Sequence, residues 1–180
     1  MNYFDTSVLQ QYFWDIVLQG IKEARNIVSE LSSTDDNIGI IGHSSGGFIA
    51  AGAFSKVSEV VSAIVINGSC AWVKFEELYR EKDGRQPMSS KERISLQEHD
   101  PISRMNFEGK KSLLLLHGKE DCTIPIDSQR YFMNVMSDKS TECLQLVEYS
   151  GVNHHITIGM LQKSKEWLDK HLGQGCHSKG

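Results

Sequence analysis

The sequence predicts an α/β protein, a parallel sheet flanked by helices, and three observations carry that reading. Four short, mostly apolar segments, 38–41, Val60–Ile66, 112–116 and Leu144–Tyr149, read as strands buried on both faces. Helical patterns alternate with them along the chain, the order of βαβ units rather than of hairpins. A glycine-rich turn, GHSSGG, joins the first strand directly to a helix.

Each element has its own signal. Over 13–31 the apolar residues Trp14, Val17, Leu18, Ile21, Ala24, Val28 and Leu31 recur at three- and four-residue spacing, the stripe of an amphipathic helix. The polar cluster SSTDDN at 32–37 ends it, and the strand 38–41 follows. Residues 48–54 form a helix of small side chains suited to close packing on a sheet. The segment 71–106 is longer than a plain crossover between strands needs. It places Trp72, Phe75, Leu78 and Tyr79 on one helical face, breaks at KDGRQP, and offers Ser89 and Glu92 as a capping box for a second helix. It is therefore expected to be a small helical cap over one edge of the sheet. Helices over 127–136 and 156–172 complete the pattern, and 173–180 reads as a flexible tail on a single domain spanning 1–180.

Composition excludes several function classes. A chain of 180 residues fits one domain with a full core. Its 19 basic and 23 acidic residues give a net charge of -4 with no basic block, so no nucleic-acid partner is expected. No apolar run is long enough for a membrane span, and MNYFDTSVLQ has no signal-peptide character. Cys70, Cys122, Cys143 and Cys176 lack CxxC or metal-ligand spacing, and His154–His155 lacks the further ligands of a zinc site. Reduced thiols in the cytoplasm, with no metal and no cofactor, are the expectation.

The chemistry lies at the strand ends. Gly42-His43-Ser44-Ser45-Gly46 fits G-x-S-x-G, in which a sharp strand-to-helix turn holds a nucleophilic serine above the sheet. Side chains at either glycine are expected to clash. Three fixed residues at about 7% each would match by chance roughly 0.06 times in such a chain. The required strand and helix flank this match, whereas the G-x-G-x-x-G of a nucleotide site is absent. A serine nucleophile needs a base, and the base needs an orienting acid. Asp121 follows the strand end in LLLLHGKED, with Glu120 and Asp127 as rivals. His154 follows the next strand end in SGVNHH, with His155 as the alternative base. The backbone N–H of Ser45 is the candidate oxyanion donor. His43 and His117 are read as supports of the turns beside the site.

IGHSSGG, LLLLHGKEDCTIP and GVNHH resemble the three signature blocks of the α/β-hydrolase superfamily. The HG-x-x-D-x-x-x-P block, preceded by HDPISRM, is similar to its prolyl-oligopeptidase-like (S9-type) and dienelactone-hydrolase-like branch. YFWDIVLQGI and SCAWVKFEELY resemble small bacterial esterases of that branch. The resemblance implies a Ser44–His154–Asp121 triad, His154 being favoured because it stands three residues after Gly151. It also implies a carboxylesterase or peptidase-like enzyme acting through an acyl-enzyme on a small ester, amide, thioester or peptide-like substrate. Trp72, Phe75 and Tyr79 are candidate substrate-contact residues, a core role being the alternative.

One departure stands out. Members of the superfamily lay down further strands before the serine strand and draw a second oxyanion donor from their loops. Only 37 residues precede Ile38, and no HG-x-x or HGGG segment occurs among them. The expected sheet is thus incomplete, about four strands, and its first strand has an open side that invites self-association. A truncated, non-catalytic hydrolase-like chain is the alternative function.

Overall fold

The computed structural model describes residues 6–31, 37–139 and 142–172. The predicted tail 173–180 with Cys176, and most of the polar cluster after the first helix, lie outside the described residues. The elements are α1 (Thr6–Leu31), β1 (Ile38–His43), α2 (Ser45–Lys56), β2 (Val60–Ile66), α3 (Trp72–Asp83) and α4 (Ser90–Gln97). They continue with β3 (Ser112–Gly118), α5 (Asp127–Val135), β4 (Leu144–Tyr149) and α6 (Ile158–Leu172). The first helix starts before the expected position because Leu9, Gln10 and Gln11 are good helix formers with no Gly or Pro among them.

All four strands are parallel and pair in chain order, β1 with β2, β2 with β3, β3 with β4. Alternation within the strands divides the core. Ala63, Val65, Leu113 and Leu115 pack with residues of α2, with Phe132 of α5 and with Val28 of α1. Ile64, Ile66, Leu114 and Leu116 pack with Met160 and Trp167 of α6 on the other face. β2 and β3 are buried from both sides, as their unbroken apolar sequences require.

A third cluster joins α1, α2 and α3 through Phe13, Trp14, Phe48, Trp72 and Phe75. Its rings meet largely edge-on, with Phe48 and Phe75 at 4.7 Å and Phe13 and Phe48 at 5.1 Å. Within 71–106, α4 has the predicted capping box, in which Ser89 accepts from the Glu92 amide and Glu92 accepts from the Ser89 amide. The start of α3 is capped from a distance instead. Buried Asp100 accepts from the Trp72 amide at 3.0 Å and the Val73 amide at 2.8 Å. Burial raises the Asp100 pKa despite these bonds and a third from the Ile102 amide. No helix among the described residues is long and apolar enough to cross a membrane.

Candidate active site

The C-terminal ends of the four parallel strands bring the reactive groups together, as in other open α/β sheets. At the end of β1, Ser44 adopts φ 57 and ψ -125, a region that a non-glycine residue seldom occupies. Its amide donates to the Ile66 carbonyl at 3.0 Å, tying the turn to β2. Gly42 makes the turn possible, since a Cβ there would lie 1.9 Å from the Gly46 carbonyl oxygen. The steric role expected for Gly46 is not found: a Cβ there would meet no atom within 4 Å outside its own helix. Gly46 faces open space, so only the first glycine of the motif is demanded by packing.

Ser44 Oγ lies 2.8 Å from His154 Nε2, and His154 Nδ1 lies 2.8 Å from Asp121 Oδ2. A carboxylate only accepts, so Nδ1 carries the proton and Nε2 is left to accept from the serine hydroxyl. Asp121 Oδ1 accepts from the Thr123 and Ile124 amides, both at 2.8 Å. Burial opposes ionisation of Asp121, but hydrogen bonds from His117, His154 and these amides outweigh it. They hold the carboxyl well below the usual carboxylate range. His117 is wholly buried, with Nε2 3.0 Å from the Ile124 carbonyl and 3.4 Å from Asp121 Oδ2. Both neighbours are acceptors, which makes Nε2 the protonated nitrogen. His117 thus bridges the turn at Ile124 and the Asp121 carboxylate, where the sequence reading expected only a support of the turn.

The rival residues lie elsewhere. Glu120 accepts from the Val152 amide, Asp127 pairs with Arg130 at 3.0 Å, and the His155 side chain is exposed. His43 stands beside His154 with ring centroids 5.0 Å apart. Burial, and then the neighbouring His154, lower its pKa and so favour the neutral ring. The Ser45 amide sits at the start of α2, where the first N–H groups of a helix have no partner within it. Further into the helix, the amides of Gly47 and Phe48 are taken up by the Ser44 carbonyl.

Asn67 belongs to this site although the sequence reading passes over it. It follows β2 with φ 45 and is fully buried. Its Oδ1 accepts from the Gly118 amide at 2.9 Å, and its Nδ2 donates to the His155 carbonyl at 3.2 Å. One amide side chain thus fastens the histidine loop to β2 and β3. Gly118 lets that loop approach, because a Cβ there would lie 2.3 Å from the Val152 carbonyl oxygen. The signal available in the sequence was an Asn, tolerant of left-handed backbone, directly after a strand.

A cavity of about 250 Å³ opens beside Ser44, with Phe13, Phe75, Tyr79, Thr123 and Ile124 in its walls. Trp72, the third aromatic candidate for substrate contact, is not among them. It is fully buried against Trp14 at 5.3 Å, and its Nε1 donates to the Ser69 carbonyl at 3.0 Å. It forms core, because at the start of α3 it packs against Trp14 and Phe48. Among the described residues no group of three or more His, Cys, Asp or Glu is arranged to hold a metal ion.

Comparison with known proteins bears on both fold and site. The sequence model of the prolyl oligopeptidase family matches residues 15–175. Esterase YjfP of Escherichia coli (strain K12) is 24% identical over 170 residues, covering 89% of this chain and 68% of that protein. The structure of TT1662 from Thermus thermophilus superposes with a TM-score of 0.71 at 20% identity, covering 89% of this chain and 66% of the other. The Pyrococcus furiosus esterase Pf2001 gives 0.60 at 18% identity, with 85% and 62% covered. The chain thus spans about two thirds of the length of these relatives, and the shared fold is that of α/β-hydrolase esterases.

Proposed function

The chain belongs to the prolyl oligopeptidase family of serine hydrolases, and we propose that it cleaves a carboxylic ester through Ser44, His154 and Asp121. The observation that carries this reading is the continuous array from Ser44 Oγ to His154 to Asp121, both links 2.8 Å, on a strained strand-to-helix turn. Ser44 Oγ bonds to the substrate carbonyl carbon while His154 Nε2 takes its proton. The oxyanion that forms is met by the Ser45 N–H and the positive end of α2. His154 then gives its proton to the departing alcohol as the carbon–oxygen bond breaks, leaving an acyl-Ser44. Water, deprotonated by His154, releases the acid and restores the serine. Asp121 stays ionised throughout, fixing the His154 tautomer and stabilising its charged form. Amides and thioesters enter the same scheme with a different leaving group. The helices of 71–106 serve as the cap over the reacting groups, and the cysteine spacing fits the cytoplasm.

A fluorophosphonate probe tests this reading. Wild type is expected to be labelled at Ser44, and Ser44→Ala is expected to lose the label. A labelled Ser44→Ala protein, or a folded wild type that takes no label, overturns it.

A second reading has its own observation. β1 pairs only with β2 among the described residues, and its Ile41 is 49% exposed. Under that reading the chain does no chemistry and associates with another chain through the open β1 edge.

A further inference from the structure

The cavity beside Ser44 carries information about the substrate that the array of reacting groups does not. Its volume of about 250 Å³ falls below the ~300–1,000 Å³ of sites that take drug-sized ligands. At about 30 Å³ for each water-sized group it holds roughly eight non-hydrogen atoms. Phe13, Phe75, Tyr79 and Ile124 make its wall largely apolar. The Phe75 and Tyr79 rings stack at 5.5 Å with 22° between planes, giving that wall a flat aromatic surface.

The cavity also touches Glu76 and Arg85. Their charges are already spent on one another and on neighbours. Glu76 is buried, with Oε1 2.7 Å from Arg80 Nε and 3.5 Å from an Arg85 terminal nitrogen, and Oε2 accepting from Trp14 Nε1 at 3.1 Å. Arg85 Nε lies 3.0 and 2.8 Å from the two oxygens of Asp83, and its guanidinium stands 5.3 Å from the Tyr79 ring centroid. Two carboxylates, Glu76 and Asp83, balance the guanidiniums of Arg80 and Arg85 here, so an ionised substrate group gives up hydration without meeting an unbalanced opposite charge. An uncharged group has no such hydration to lose.

We propose that this cavity recognises a compact, uncharged, apolar group of up to about eight non-hydrogen atoms, borne by the ester on its acyl or its alcohol side. This rests on Ser44 acting as the nucleophile, so the two claims need separable tests.

The full chain is first treated with phosphonofluoridates of matched reactivity bearing ethyl, benzyl, dodecyl or carboxyalkyl groups, and the rate of Ser44 labelling is read. Benzyl is expected to label at least tenfold faster than dodecyl and than the carboxyalkyl probe. Two ester series then distinguish the sides: methyl esters of phenylacetate, dodecanoate and succinate, and acetates of benzyl alcohol, dodecanol and choline. A benzyl-sized optimum in either series supports the assignment and names the side. Tyr79→Ala is expected to raise the dodecyl-to-benzyl rate ratio at least fivefold, while Tyr79→Phe, which keeps the ring, leaves it unchanged. Fastest labelling by the dodecyl or carboxyalkyl probe, or equal rates throughout, overturns the assignment while Ser44 reactivity stands. Absence of all labelling instead sinks the nucleophile reading itself.

Discussion

The two sides of the sheet are finished differently. On the β3–β4 side, both Asp121 oxygens have partners, Asn67 clamps the histidine loop, and the edge strand carries Glu148. That glutamate is gripped by Arg130 through two bonds of 2.8 and 2.7 Å. On the β1 side, the strand IGIIGH presents no acidic or lysine side chain, exposes Ile41, and ends in the strained Ser44. Charge on an edge strand discourages further pairing, whereas an uncharged apolar edge invites it. The proposed acid–base half of the site is therefore held by hydrogen bonds from within the chain, those of Asn67 after β2 included. The nucleophile half sits on a strand with the chemistry of a sheet interior.

If the acid–base half is as self-sufficient as its hydrogen bonds indicate, damage there should be severe and specific. Asp121→Asn keeps an acceptor for the Thr123 and Ile124 amides but frees His154 from its fixed tautomer. It is expected to lower kcat by about 10⁴ without unfolding the chain. The same variant tests the link to stability. Asp121 is held below its ordinary pKa in the fold, so its ionised form stabilises the native state at any pH above the unfolded value. That contribution fades as pH falls below about 3.9 and is lost as pH passes through the lower folded value. Denaturation measured from neutral to acid pH should show a shallower decline for Asp121→Asn than for wild type. An equally steep decline would sever the carboxylate from stability.

A smaller effect is expected one step away from the reacting atoms. Asn67→Asp preserves the left-handed backbone and the acceptor for the Gly118 amide, but removes the donor to the His155 carbonyl. His154 then loses that positional support while its own partners, Ser44 and Asp121, are kept. The expected outcome is a fall in kcat of about 10- to 100-fold with little change in KM. Unchanged kcat in a folded Asn67→Asp protein would show that the loop holds itself in place.

How much of this was legible in the sequence follows from the range of each interaction. Gly42, Ser44 and Asp121 announce themselves because a strand end and its turn form a local unit. His154 over His155 required either the resemblance or the folded loop itself, since adjacent residues on a loop differ only in direction. Asn67 was invisible for a clearer reason: its partners lie 51 and 88 residues away, and next to Gly68 it reads as an ordinary turn residue. Asp100 escaped likewise, capping a helix 28 residues earlier in the chain. Helical periodicity put Trp72 on the apolar face of α3, yet periodicity names a face and not what lies against it. Trp14 and Phe48 occupy that place, leaving Phe75 and Tyr79 for the cavity.

The mildest perturbation bears on the contrast between the two edges most directly. A lysine at Ile41 puts charge where β1 is exposed, as Glu148 and Arg130 do for β4, and Ile41 touches none of the reacting groups. If the open edge pairs with other chains, wild type should associate as its concentration rises, and Ile41→Lys should stay dispersed with each chain equally reactive toward the fluorophosphonate. Gln145→Lys, at the exposed position of β4, supplies the control and should associate as wild type does. Sedimentation velocity on the three proteins reads the outcome. Association that ignores Ile41→Lys would mean that another surface is responsible. A wild type that never associates would mean that Ile41, with Gly42 after it and Gly39 two residues before, is too small an apolar edge to matter, and the difference between the two sides would then be one of catalysis alone.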